Sequence, residues 1–100
     1  MVRHVILWKL KDEYSGEEAA KIKSGIREGL ESLMGVIPGL KEIKVNTEPL
    51  GSSNCDFILD SLFEDESALK GYAVHPAHVE IADTKVRPFI SQRTCFDYEV

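Results

Sequence analysis

"VRHVILWKL", residues 2–10, has the composition of a β-strand, and the charged residues at 11–13 mark its end. Side chains alternate along a strand, so one face carries His4, Ile6, Trp8 and Leu10. The other face carries Arg3, Val5, Leu7 and Lys9. Because both faces include apolar side chains, the stretch predicts a central strand that is covered on both sides.

A long amphipathic helix follows this strand. Ser15 and Glu18 have the spacing of a capping box at its start. Apolar side chains then recur at helical spacing at Ile22, Ile26, Leu30, Leu33 and Ile37. The helix is expected to end at Gly35, Pro38 and Gly39.

The remaining chain predicts three more strands and a second, interrupted helical segment. The strands are "LKEIKVNT" (40–47), "DFILDSLF" (56–63) and the C-terminal "SQRTCFDYEV" (91–100). Asp65 or Glu64 can cap the helical segment, and Pro76 should interrupt it and begin a further short helix to about Val86. The order β-α-β-β-α-β predicts one α+β, ferredoxin-like domain over residues 1–100, with helices on one face of a four-stranded antiparallel sheet in the order 4-1-3-2.

The uncovered face of that sheet predicts a homodimer. Its apolar members would be Val5, Leu7, Ile58 and Leu62. Such a patch is large for a monomer, and a two-fold partner would cover it, sheet against sheet. Lys9 and Asp60 are candidates for an ion pair at the rim of the interface.

Composition excludes several classes of protein. The 100 residues carry a formal net charge of −5 and no basic cluster, which argues against nucleic-acid binding. No apolar run approaches the ~18 residues of a membrane span, and the N-terminus lacks the pattern of a signal peptide. Cys55 and Cys95 would lie two strands apart, at ~9.6 Å, beyond disulfide reach, so a cytoplasmic protein with reduced thiols is expected.

Several motifs along the chain resemble the stress-responsive dimeric α/β-barrel (Dabb) family. They are "RHVILWKLK" (3–11), "IPGLKEI" (37–43), "CDFILDSLFEDESAL" (55–69), "GYAVHPAHVE" (71–80) and "FDYE" (96–99). The tyrosine-x-x-histidine-proline-x-histidine run that begins at Tyr72, together with His4 on the first strand, is the most specific part. The resemblance implies a ferredoxin-like homodimer.

For function, the resemblance implies a small stress-associated protein. Some plant members are polyketide cyclases, in which residues matching Tyr72 and His78 form the acid/base pair and one matching His4 lines the pocket. This chain departs from the cyclases at Phe57, where they carry a histidine. Leu30 or a neighbour stands where the cyclases place a tyrosine on the first helix, so the pocket should be more apolar.

Two functions remain open for the predicted pocket. The first is a cytosolic stress-response homodimer that binds a small apolar ligand. The second is a cofactor-free, cyclase-like lyase or isomerase, with Tyr72 as acid and His78 as base. The predicted ligand-binding residues are His4, Ile6, Trp8, Phe57 and Leu59. An open cavity of a few hundred Å³ that reaches Tyr72 and His78 would favour the enzyme.

Structural roles compete with these functions at each site. Tyr72 can be a core aromatic whose hydroxyl is satisfied by His78 or by the backbone, and His4 can be a core histidine. His75, which precedes Pro76, is expected to cap a helix or turn a corner. Trp8 and Phe96 are expected in the core. A metal site is not expected, since Pro76 separates His75 from His78; a haem ligand and a Cys–His nucleophile are not expected either.

Overall fold

The computed structural model describes all residues, 1–100, as four strands and three α-helices. The strands are β1 (Val2–Leu10), β2 (Leu40–Asn46), β3 (Phe57–Phe63) and β4 (Ile90–Glu99). The α-helices are α1 (Gly16–Glu31), α2 (Glu66–Val74) and α3 (Pro76–Ile81). A π-helical segment, Ala82–Val86, and a 3-10 turn, Arg87–Phe89, join α3 to β4.

The sheet order is β2-β3-β1-β4, and every neighbouring pair is antiparallel. This confirms the ferredoxin-like α+β fold and its central β1. The register places Trp8 between Phe57 on β3 and Arg93 on β4. Opposed residues point to the same side of a sheet, so these three side chains share the face toward the helices.

The core lies between that face and the helices. Its largest fully buried side chains include Phe63, Ile26, Leu30, Leu33 and Leu59. The helix α1 is also bound to the edge strand β2, because the amide of Val45 donates a 3.0 Å hydrogen bond to the Glu31 carboxylate. None of the helices combines the length and apolar character that a membrane-spanning helix needs.

Pro76 divides the second helical region as the sequence predicts. The Asp65 carboxylate caps α2 by accepting a 2.8 Å hydrogen bond from the Ala68 amide. His75 ends α2, and its Nδ1 accepts a 3.1 Å hydrogen bond from the Ala77 amide at the start of α3. The proline takes the first position of α3, where its missing N–H has no cost.

The ends of α1 differ from expectation. Ser15 stands at the N-cap but its side chain makes no capping bond, and Gly16 has φ of +56°, which is not capping-box geometry. The helix ends at Glu31, so Leu33 and Ile37 lie in the turns that follow, yet both are buried. Their helical spacing therefore predicted burial better than it predicted the length of the helix.

Cys55 lies just before β3, Cys95 lies on β4, and both thiols are free. A further expectation is corrected by position. Phe96 is 68% exposed instead of in the core, because it pairs with Val5 and so points to the side away from the helices. On that open side it contacts Tyr98, with ring centroids 5.8 Å apart.

The open face also carries charged side chains. Arg3 forms an ion pair with Asp60 at 2.9 Å and reaches Glu42 at 3.7 Å. Asp60 therefore has an intrachain partner other than the predicted Lys9. Leu62 lies across the strands from Arg3 and Glu42 and is only 9% exposed, whereas Val5, Leu7 and Ile58 are partly exposed.

Candidate functional site

A cavity of about 300 Å³ lies between the sheet and the helical segments that follow Tyr72. Its walls are mostly apolar, and the 13 lining residues are Ile6, Trp8, Leu30, Leu59, Tyr72, His78, Ala82, Val86, Arg87, Ile90, Ser91, Gln92 and Arg93. This volume is at the lower end of the range for small-molecule sites. Two lining residues, Ala82 and Val86, bound the π-helical segment, an irregularity that is common at functional sites.

Tyr72 lies near the C-terminal end of α2, with 2% of its surface exposed. Its ring packs between Phe63 and His78, with centroid distances of 5.0 and 4.1 Å. The hydroxyl is buried and has no hydrogen-bond partner. Burial raises the pKa of Tyr72 above its ordinary value of 10.0, with Arg93 acting in the opposite direction, so the phenol stays protonated and able to donate.

His78 lies in the first turn of α3, beyond the break at Pro76. Its Nδ1 is buried without a hydrogen-bond partner. Burial lowers the pKa of His78 below its ordinary value of 6.5; the backbone carbonyl of Ala73 opposes this, and the positive charges of Arg87 and Arg93 add to it. The imidazole is therefore neutral at pH 7 and can accept a proton.

The two pKa values are pushed in opposite directions. Tyr72 is held as an acid and His78 as a base, although their rings are in contact. Environments that push the pKa values of two neighbouring groups apart in this way mark candidate acid/base pairs. Neither side chain satisfies the other, so a structural role as a mutually hydrogen-bonded core pair does not fit.

Arg93 is a residue of the cavity that the sequence analysis did not identify. It lies on β4 directly opposite Trp8 and lines both this cavity and an adjoining groove between β4 and α2. Its charge acts on Tyr72, His78 and Cys95. The alternation of β4 predicts which side Arg93 faces, but only the strand order shows that Trp8 is its neighbour.

The adjoining groove holds a second polar cluster, formed by His4, Cys95 and Asp97. The buried His4 makes a short hydrogen bond through Nδ1 to the carboxylate of Asp97. The thiol of Cys95 lies 3.8 Å from that nitrogen and 3.6 Å from the carboxylate oxygen. Burial, followed by the charge of Asp97, raises the pKa of Cys95, so the thiol near His4 is not an activated nucleophile.

The same three side chains offer ligand atoms within 4.8 Å of one another, a set that could hold a metal ion. Their juxtaposition depends on the pairing of β1 with β4, which sets His4 opposite Asp97 and Ile6 opposite Cys95. The histidine set considered from sequence does not come together, because His75 caps α3 and faces a different depression beside Gly39.

Three of the five predicted ligand-binding residues, Ile6, Trp8 and Leu59, line the cavity beside Tyr72 and His78. His4 lies next to Tyr72, with ring centroids 6.0 Å apart, but opens to the groove. Phe57 stacks on the far side of Trp8 at 4.9 Å and is not a lining residue. Trp8 therefore forms part of the cavity wall, Phe57 supports it from behind, and neither ring fills the cavity.

A comparison of the sequence with known protein families identifies the family to which this fold belongs. The chain matches the stress responsive A/B barrel domain, Dabb, over residues 2–100. The chain belongs to this family.

Two individual relatives share about a third or less of their residues with this chain. Olivetolic acid cyclase of Cannabis sativa is 29% identical over 100 residues, which cover 97% of this chain and 94% of the cyclase. An uncharacterized protein of Streptomyces coelicolor is 33% identical over 82 residues, 78% of this chain and 79% of that protein.

Among solved structures, a dimeric ferredoxin-like protein of unknown function from Bacteroides fragilis superposes with a TM-score of 0.90. It is 30% identical, and the match covers 99% of this chain and 95% of that protein. Relatives of this family thus include both a named cyclase and proteins without an assigned reaction.

Proposed function

We propose that this chain is a cofactor-free acid–base enzyme, a lyase, cyclase or isomerase acting on a small, largely apolar carbonyl compound. The observation that carries the proposal is the pair of buried, unpartnered polar atoms, the Tyr72 hydroxyl and His78 Nδ1, on residues that line the open cavity. Buried polar groups are normally hydrogen-bonded, so a substrate oxygen and a substrate proton are the partners that this site lacks.

The reaction class follows from the two protonation states. Neutral His78 accepts a proton from the carbon next to the substrate carbonyl, and the electron pair moves onto the carbonyl oxygen. Protonated Tyr72 donates a hydrogen bond to that oxygen as negative charge develops there. The proton held by His78 then returns to the product at another atom. The similarity to olivetolic acid cyclase supports this class of reaction.

Hydrogen exchange tests the proposal without knowledge of the natural substrate. Methyl ketones of four to eight carbons are incubated with the protein in D2O, and loss of the α-proton signal is followed by NMR. The wild-type protein should accelerate exchange, and His78→Ala and Tyr72→Phe should each reduce the acceleration by about 100-fold, a typical contribution of general acid–base catalysis.

The matched control is His75→Ala, which removes a histidine three residues away that caps α3 and does not line the cavity. It should leave the exchange rate unchanged. If the ketones bind and the wild-type protein does not accelerate exchange, the protein is a binding protein. The apolar walls of the cavity favour this second function, a binder of small apolar molecules.

We further propose that the protein works as a cytoplasmic homodimer that pairs the open faces of two sheets. Phe96 and Tyr98, 68% and 42% exposed, adjoin Val5 and Leu7 there, and such a patch is costly to leave in water. The dimeric relative from Bacteroides fragilis supports this assembly, and the family description supports a stress-associated role.

Sedimentation tests the dimer. The wild-type protein should sediment as a dimer at micromolar concentration, and Phe96→Asp should produce a monomer. Val74→Asp is the control, because Val74 is also apolar and exposed but lies at the end of α2, away from the open face. A wild-type monomer, or an equal effect of both substitutions, would contradict the proposed interface.

A further inference from the structure

Arg93 differs from every other arginine of the chain. Arg3 is paired with Asp60, Arg27 with Glu31 and Arg87 with Asp83. Arg93 has no carboxylate within ion-pair distance, although its charge acts on both Tyr72 and His78. Its side chain lies near the Cys95 thiol, but it is the arginine of this chain whose guanidinium has no carboxylate partner and can bind an anion.

The position of Arg93 indicates where that anion would lie. Arg93 faces the helices from β4, opposite Trp8, and lines the cavity that contains the unpartnered Tyr72 hydroxyl. The opposite walls are apolar and include Leu30 and Val86. A bound molecule with one charged end at Arg93 would thus place its apolar body among Trp8 and these side chains.

The surrounding charges favour a single negative charge. The adjoining groove is lined by Glu66, Asp97 and Glu99, and its one lysine, Lys70, already pairs with Glu66 at 3.6 Å. A doubly charged phosphate would be repelled by these carboxylates. A carboxylate that approaches from the cavity side would meet the guanidinium in the bidentate geometry that arginine favours.

We propose that Arg93 is the anion-binding residue of the cavity and that the molecule bound there is a small apolar carboxylic acid. This inference rests on the proposed use of the cavity, and it adds the chemical class of the substrate. The carboxylate binds Arg93, the apolar chain or ring packs on Trp8, and a carbonyl along that chain comes within reach of Tyr72.

Paired probes test the proposal by binding alone. Hexanoate and hexanamide have nearly the same shape and differ in charge, and Trp8, the one tryptophan of the chain, reports binding by fluorescence from the cavity wall. The wild-type protein should bind hexanoate about tenfold more tightly than hexanamide, as expected for a hydrogen bond to a charged group. The preference should shrink as salt is added.

Substitutions assign the preference to Arg93. Arg93→Gln should remove the preference for hexanoate and leave hexanamide binding within about twofold, and Arg93→Lys should restore part of it. Arg27→Gln is the control, because it changes the net charge equally on the outer surface of α1. Circular dichroism checks that each variant is folded; if Arg93→Gln is not, Arg93→Lys and the salt series decide the question.

The outcomes separate this inference from the proposed reaction. His78→Ala should keep the preference for hexanoate even when it abolishes exchange. Equal binding of the two probes, binding of neither, or a preference that survives in Arg93→Gln would overturn the role of Arg93. The exchange rates that test Tyr72 and His78 are measured separately, so either proposal can fail while the other stands.

Discussion

The two edge strands, β2 and β4, present contrasting side chains to the same face of the sheet. On β2 these are Leu40, Ile43 and Val45, and the first and last are buried. On β4 they are Arg93, Cys95, Asp97 and Glu99, all exposed, although their β1 partners are buried. The helices therefore pack over the β2 half of the sheet, and the cavity and groove open over the β4 half.

The two halves of the sheet therefore have different roles: one stabilises the fold, and the other presents polar side chains at the candidate site. The β2 half supplies buried apolar area, which is the main favourable term in folding. The β4 half contributes less to the core; it brings a cation to the edge of the cavity and a thiol and a carboxylate to the adjoining groove. Trp8 on the central strand is the boundary, with Phe57 on one side and Arg93 on the other.

Truncating one side chain on each edge strand should give the largest difference in the free energy of unfolding. Leu40→Ala on β2 should lower the free energy of unfolding by about 2–5 kcal/mol, the range for a buried leucine. Cys95→Ala on β4 should change it by no more than ~0.5 kcal/mol. Urea unfolding of both variants at one protein concentration measures the difference. Similar losses would contradict the contrast between the two halves.

A substitution in the closely packed turn before β2 should have the next largest effect on the free energy of unfolding. Gly39 has φ of +80°, its carbonyl accepts a hydrogen bond from the Glu64 amide, and an added Cβ would lie 2.5 Å from the Cβ of Ala68. Gly39→Ala should therefore cost about 1–3 kcal/mol of unfolding free energy.

A second glycine provides a control of opposite sign. Gly25 lies inside α1 with no atom within 4 Å of an added Cβ, so Gly25→Ala should stabilise the protein by about 0.5–1 kcal/mol. Thermal unfolding of the two variants compares them directly. A stabilising Gly39→Ala would show that α2 is not held tightly against the start of β2.

At the open half, removing a polar atom should stabilise the protein. The buried hydroxyl of Tyr72 has no partner, so Tyr72→Phe should raise the free energy of unfolding by about 1 kcal/mol while it abolishes the proposed acid function. Tyr14→Phe, at a half-buried tyrosine packed on Phe89, should have an effect within ~0.5 kcal/mol. A loss of stability in Tyr72→Phe would mean that the fold uses the hydroxyl.

The smallest expected effect is a dependence of stability on pH. The pKa of His78 is lowered in the folded state, so the unfolded chain binds a proton first as the pH falls below 6.5. Stability should therefore fall between pH 7.5 and 5.5, and less so in His78→Gln. Urea midpoints of the two proteins at both pH values measure this difference. An identical fall in both would assign the titration to other groups.

The topology could be predicted from local patterns. The alternation in β1, the cap at Asp65 and the proline at the start of α3 each reflect interactions within a few residues of the chain. Such signals predicted the element order, and the order predicted the sheet. Where a non-local contact intervened the prediction was wrong, as for Phe96, whose exposure depends on its pairing with Val5.

The candidate site likewise combines features that local patterns predict with features that depend on non-local contacts. The sequence alone determined the ferredoxin-like fold, the family and the break that sets Tyr72 and His78 on separate helices, because periodicity, capping and the proline constraint act locally. Only the tertiary structure decided that a cavity stays open beside them, that their polar atoms are unpartnered, and that Arg93 and the His4–Cys95–Asp97 cluster join them. Empty volume and cross-strand neighbours arise from packing between distant segments, which no local pattern encodes.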